Sequence, residues 1–194
     1  MVHIYKNFNR SSNAELIWKL RSIGLFKNLT EIELGIILEC SHNIQYEAEE
    51  NLFYEKDKPD GFYMVLSGSL QIYIYSGKPG QPPKLLKKLS VGEHVGEMSL
   101  IDGKPRSASV KTLVASELLF LPTLNFTTMI DSNPKIASSI VNSLIDTVLQ
   151  LPKYKIESAR TRALLEQKMI KPNLESMRTL CMMIRENNNR IAIY

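Results

Sequence analysis

Apolar residues recur at helical spacing near both ends of the chain and at strand spacing between them. Leu16, Ile17, Leu20 and Ile23 share one helical face. Asn13 is placed to cap that helix and Gly24 to end it. Thr30 followed by Glu33 is a capping box, and Leu34, Ile37 and Leu38 continue a second short helix. Residues 1–39 as a whole therefore read as an N-terminal helical segment. Trp18 within it reads as a packing anchor.

From residue 40 the period shortens to that of strands. Asn51-Leu-Phe-Tyr54 precedes the turn Asp57-Lys-Pro-Asp-Gly61. Phe62-Tyr-Met-Val-Leu66 follows, then a Ser67-Gly68 break. In Leu70-Gln-Ile-Tyr-Ile-Tyr75 the aliphatic residues Leu70, Ile72 and Ile74 fall on one face. Gly77 to Pro83 is a loop by composition, and Leu85, Leu86 and Leu89 open the next strand. Val110 to Phe120 supplies two more strands around Ala115-Ser116. Many short strands at close spacing predict a small sandwich or barrel over residues 40–121.

After Pro122, which suits a first helical turn, the pattern is helical again. Asn133-Pro134 starts a longer helix whose stripe is Ile136, Ile140, Val141, Leu144, Ile145 and Val148. Pro152 should end or kink it. Two further helices are expected over 153–170 and 173–186, with Asn187-Asn-Asn189 as a stop. The expected fold class is α+β, a jelly-roll-like β-roll sandwich flanked by helices. Residues 122–152 form one C-terminal helical part and 153–194 an extension.

Composition narrows the function. The 194 residues are 44% hydrophobic and 23% charged, a globular balance rather than a disordered one. Two distant cysteines, Cys40 and Cys181, and three histidines, His3, His42 and His94, have no metal-ligand spacing. No metal is expected. A net charge of +4 permits an anionic ligand without demanding nucleic acid. Neither a signal peptide pattern nor an apolar run of membrane-spanning length is found, so a cytoplasmic protein is expected. No Ser/His/Asp arrangement and no nucleotide-hydrolysing motif stand out, so no enzyme is expected.

The chemistry is concentrated in Val95-Gly-Glu-Met-Ser-Leu100 and Arg106-Ser-Ala-Ser-Val110. Gly96 allows close backbone approach to a ligand. Glu97 to Asp102 is long enough for a short phosphate-binding helix, whose first N–H groups favour an anion. Arg106 can grip two phosphate oxygens, and Ser107 adds a hydroxyl and an N–H. Glu97, an acceptor-only carboxylate, suits a sugar hydroxyl. Phosphate donors beside a hydroxyl acceptor fit a cyclic nucleotide, with its single phosphate charge and free ribose 2′-OH. A surface turn with a capping Glu and a solvated Arg is the plainer alternative.

The whole pattern resembles the cyclic nucleotide-binding domain family, which includes the catabolite activator protein and the regulatory subunits of protein kinase A. The likeness extends to Phe62-Tyr-Met-Val-Leu-Ser-Gly68 and Leu25-Phe-Lys-Asn-Leu29, and spans residues 13–150. It implies that Glu97 takes the ribose 2′-OH, that Arg106 pairs with the phosphate and that Ser107 donates to it. Gly96, Met98, Ser99 and Ala108 complete the implied ligand-binding set, with Leu86 and Val95 as pocket wall. Lys56-Asp57 replaces the family's usual Gly-Asp in the turn, and Val95 replaces the usual Phe. Both are read as changes to turn and packing that spare the pocket.

The resemblance leaves cAMP and cGMP both open, with a slight lean to cAMP. It implies a sensor that relays binding through its C-terminal helices to a partner protein or a second copy. The alternatives are a transcription regulator of the catabolite activator class and a scaffold that has lost its ligand. DNA binding is not expected, because Pro152 interrupts the long helix and residues 153–194 are few for a winged helix. Tyr154 is a candidate lid for the base, with a packing aromatic as the plainer reading. Arg160 and Arg162 are read as a solvated face.

Overall fold

A computed structural model describes residues 3–5, 10–75, 81–150, 163, 165, 167 and 172–191. The chain divides into two compact units, one of residues 1–9 and 38–125, the other of 10–37 and 126–194. The break suggested at Pro152, together with Tyr154, Arg160 and Arg162, lies outside the described residues.

Among the described residues the first unit holds nine strands: β1 (His3–Tyr5), β2 (His42–Tyr46), β3 (Asn51–Phe53), β4 (Gly61–Ser67), β5 (Leu70–Ile74), β6 (Lys84–Leu89), β7 (His94–Val95), β8 (Ser109–Thr112) and β9 (Ser116–Pro122). They form two antiparallel sheets, ordered β1-β2-β9-β4-β7 and β3-β8-β5-β6. With α3 (Glu97–Asp102) and the helices of the second unit, the fold class is α+β. Between the sheets Ile44, Phe53, Tyr63, Val65, Leu70, Leu89, Val110 and Leu118 are buried as one cluster. Burial of each such side chain is worth about 1.5–3 kcal/mol.

Register does the positioning. Tyr63 stands opposite Val95 across β4 and β7, and Gly61 opposite Pro122 across β4 and β9. This brings the start of β4 beside the end of β7, where the chain enters α3. A bulge between Ile72 and Tyr73 breaks the β5–β6 pairing. It lies at the edge strand β6, whose residues 84–88 are all exposed.

The second unit contains α1 (Arg10–Ser22), most of α2 (Glu31–Glu39) and of α4 (Thr123–Ser132), α5 (Pro134–Gln150) and α6 (Leu174–Ile191). The capping box forms as read: the Thr30 N–H donates to Glu33 at 2.8 Å, and the Glu33 N–H to Thr30 Oγ1 at 3.3 Å. The α5 stripe is buried, and α5 packs against α6. Asn173 caps α6, its Oδ1 accepting the Ser176 N–H at 2.9 Å.

Several expectations are corrected. His3–Tyr5 is a strand whose Ile4 meets Ile44, so residues 1–39 are not wholly helical. Helix α1 starts at Arg10, leaving Asn13 inside it rather than at its cap. Trp18 is 76% exposed. It stands about 200° round the helix from the buried Leu16, on the opposite face. Pro122 closes β9 instead of opening a helix, and α6 runs on through Asn187–Asn189.

Candidate functional site

Strand β7 delivers the chain to Gly96, which caps α3 with φ 95° and ψ 4°. An L-residue rarely adopts this left-handed conformation. The Gly96 carbonyl accepts the Leu100 N–H at 3.0 Å, and the helix ends where the Gly103 N–H donates to Ser99 at 3.1 Å. Ser99, Leu100 and Ile101 are buried, which anchors so short a helix to the unit and leaves Glu97 and Met98 half-buried.

Arg106 is the centre of the site. The residue is only 3% exposed. Its Nη2 donates to Asp60 Oδ1 at 2.6 Å and to the Gly61 carbonyl at 2.7 Å. Its Cζ lies 4.0 Å from the centroid of the Phe53 ring and 5.9 Å from that of Tyr63. The backbone is held as well: the Arg106 N–H donates to Asp57 at 2.9 Å, and the Lys56 N–H to the Arg106 carbonyl at 2.8 Å. Yet Nε and Nη1 are buried without a hydrogen-bond partner. A buried donor left in that state costs about 1–3 kcal/mol, more when charged. An anion accepting from Nη1, in front of Gly96, would remove part of that cost, so the site fits a phosphate.

Asp60 is fixed from its other side. The Tyr63 hydroxyl donates to its Oδ2 at 2.5 Å. Burial, then that hydrogen bond, pushes the Tyr63 phenol well above its ordinary range, so it remains a donor. Burial and the Asp60 charge likewise raise Tyr46. The Asp60 carbonyl accepts the Thr123 N–H at 2.8 Å, at the start of α4.

The structure brings Gly96 and Arg106 together. A Cβ at Gly96 would stand 2.5 Å from Arg106 Nη1 and 2.9 Å from the Gly61 carbonyl oxygen. Glu97 follows Gly96, and its carboxylate has no partner among the described residues. Ser107 is exposed, Ala108 is buried, and Val95 packs against the core cluster. Leu86 lies on the edge strand β6, 48% exposed.

Sequence reasoning passed over Asp60, Gly61, Phe53 and Tyr63. Asp60-Gly61 is visible in the sequence only as part of a turn, and Phe53 only as part of a strand run. The Lys56-Asp57 turn also matters more than its sequence suggests, because it is bonded to the Arg106 backbone. Lys56 takes the left-handed conformation itself, with φ 74°. Among the described residues no group of His, Cys, Asp and Glu could hold a metal ion, and no helix is long and apolar enough to cross a membrane.

Residues 43–133 match the family model described as "Cyclic nucleotide-binding domain". The cyclic AMP receptor protein of Thermus thermophilus is 30% identical over 147 residues, covering 74% of this chain and 67% of that protein. Human cGMP-dependent protein kinase 2 is 32% identical over 91 residues, 47% of this chain but 12% of the kinase. The chain thus spans a small part of that relative. The regulatory domain of Toxoplasma gondii PKA, solved with cAMP, superposes with a TM-score of 0.60 at 22% identity. That match covers 80% of this chain and 58% of the other, and it establishes a shared fold.

Proposed function

Because this chain belongs to the cyclic nucleotide-binding domain family, we propose that it is a sensor of a cyclic mononucleotide, cAMP or cGMP. One observation carries the reading. A guanidinium buried to 3% exposure holds two donors without partners, beside a glycine that keeps the space in front of Nη1 clear of a Cβ. On this reading Arg106 takes the cyclic phosphate, with Ser107 and the N–H groups at the start of α3 as further donors. Glu97 accepts from the ribose 2′-OH. Gly96, Met98, Ser99 and Ala108 line the same pocket, with Val95 behind them. Leu86 is the other proposed wall residue.

The output is a relay to a partner protein or a second copy through the C-terminal helices. Binding shifts a two-state equilibrium only by its differential affinity for the two states. Asp60 is well placed to begin the relay, since its side chain holds Arg106 and its carbonyl holds the first residue of α4. The proposed role is regulatory rather than catalytic, and its proposed setting is the cytoplasm.

Calorimetric titration with cAMP and cGMP, after denaturing and refolding to strip carried-over ligand, tests the reading. Arg106→Ala should lose at least one charge-assisted bond, about 1.5–3 kcal/mol, or roughly ten- to a hundredfold in affinity. Binding of neither nucleotide to the wild-type protein would refute the proposal.

A further inference from the structure

We infer that Asp60 makes this site select its ligand by charge, favouring a singly charged phosphodiester over a doubly charged phosphate monoester. The inference rests on the proposed nucleotide reading and adds a discrimination to it. Arg106 supplies one positive charge, and the Asp60 carboxylate 2.6 Å away already opposes it. Glu97 contributes a second carboxylate at the start of α3. The other cations in these segments, Lys56, Lys58 and Lys104, are exposed, as is half of the Asp60 side chain, but Asp60 lies 2.6 Å from the guanidinium, too close for salt to screen. Glu55, Asp57 and Asp102 oppose them within the same segments.

The site is therefore not an electropositive hole. It offers directed donors, Nε and Nη1, in surroundings without net positive charge. A cyclic monophosphate brings a single charge, and its oxygens can accept from those donors. A linear 5′-phosphate carries nearly two at neutral pH, its second pKa being about 6. Its extra charge finds no further buried cation among the described residues and is repelled by Asp60 and Glu97. Ring-opening of the ligand is thus read as a change of charge as well as of shape.

The test separates the two at a single pH. Competition against the cyclic nucleotide is measured for three ligands: the cyclic form itself, the linear 5′-monophosphate, and the methyl ester of that monophosphate. The ester is linear but singly charged. In the wild-type protein the ester should bind about tenfold better than the monophosphate, the size of a partly screened unit-charge repulsion. Asp60→Asn should shrink that gap to about twofold or less, while Asp60→Glu should keep it. Asparagine also loosens the hold on Arg106, but this weakens all three ligands and cancels in the ratio. Equal binding of ester and monophosphate would overturn the inference, as would a gap unchanged in Asp60→Asn. An ester that fails to compete at millimolar concentration would also overturn it, because shape alone would then be excluding the linear ligand. Failure of the wild-type protein to bind any cyclic nucleotide would instead refute the reading beneath it.

Discussion

Replacing Gly96 with alanine adds one methyl group at the point where the helix cap meets the buried arginine, and its two costs can be separated. The first is conformational: alanine at φ 95° loses about 1–2 kcal/mol of stability. The second is spatial. The new Cβ would meet Arg106 Nη1 at 2.5 Å and the Gly61 carbonyl oxygen at 2.9 Å. The carbonyl belongs to β4 and cannot yield easily, so the guanidinium must. A displaced guanidinium loses about 1.5–3 kcal/mol of charge-assisted bonding to an anion, or ten- to a hundredfold in affinity. Gly92 provides the control, for it has φ 85° and nothing within 4 Å of its would-be Cβ. Gly92→Ala should therefore lose comparable stability and keep its affinity. Urea denaturation measures the first cost and calorimetric titration the second. Wild-type affinity in Gly96→Ala, or an equal loss of affinity in Gly92→Ala, would refute the reasoning.

Phe53→Leu removes the ring 4.0 Å from the Arg106 guanidinium. A desolvated cation–π contact is worth about 2 kcal/mol, so nucleotide affinity should fall roughly tenfold and be restored by Phe53→Tyr in titration calorimetry. Lys56→Gly relieves a left-handed lysine at φ 74°. After the entropy of a more flexible unfolded chain, it should stabilise the protein by about 0.5–1 kcal/mol in urea denaturation. Glu93 accepts from Lys87 and from the Ser90 N–H, which hold its carboxyl below the ordinary 4.5. A depressed carboxyl stabilises the fold above its ordinary range and loses that contribution as pH falls through its lowered value. The stability difference between wild type and Glu93→Gln should thus be level from pH 8 to about 5 and vanish below. A difference that grows on acidification would contradict this assignment.

The part of the site that could be read in the sequence is the part whose residue type declares its chemistry. Gly96, Glu97 and Arg106 stand within eleven residues of one another, and a glycine, a carboxylate and a guanidinium each limit what they can contact. The supporting residues could not be read so. Asp60 meets Arg106 across 46 positions of sequence, through a register fixed only when β4, β7 and β9 pair. Phe53 looks like any strand phenylalanine until the bulged β3–β8 pairing sets it beside the guanidinium. Strands β3 to β6, β8 and β9 were legible because alternation and turn residues agree, whereas β2 and the two-residue β7 declare themselves only by pairing with β9 and β4. Three residues, His3 to Tyr5, are too few to alternate detectably, and only their pairing with β2 makes them a strand. Trp18 was misjudged by weighing size over phase, since Leu16 and Leu20 already marked the buried face.

Strand β6 bears on how the protein behaves in concentrated solution. It ends its sheet, and its residues Lys84-Leu-Leu-Lys-Lys88 are exposed along their length. Such an edge is a template on which another strand can assemble, and Leu85 and Leu86 would reward the growth of a fibre. Lys84, Lys87 and Lys88 oppose it, because two copies meeting edge to edge would crowd like charges. By this reasoning, acylating those amines would break one ion pair among the described residues, Lys87–Glu93, and would turn this exposed edge strand into a seed for precipitation.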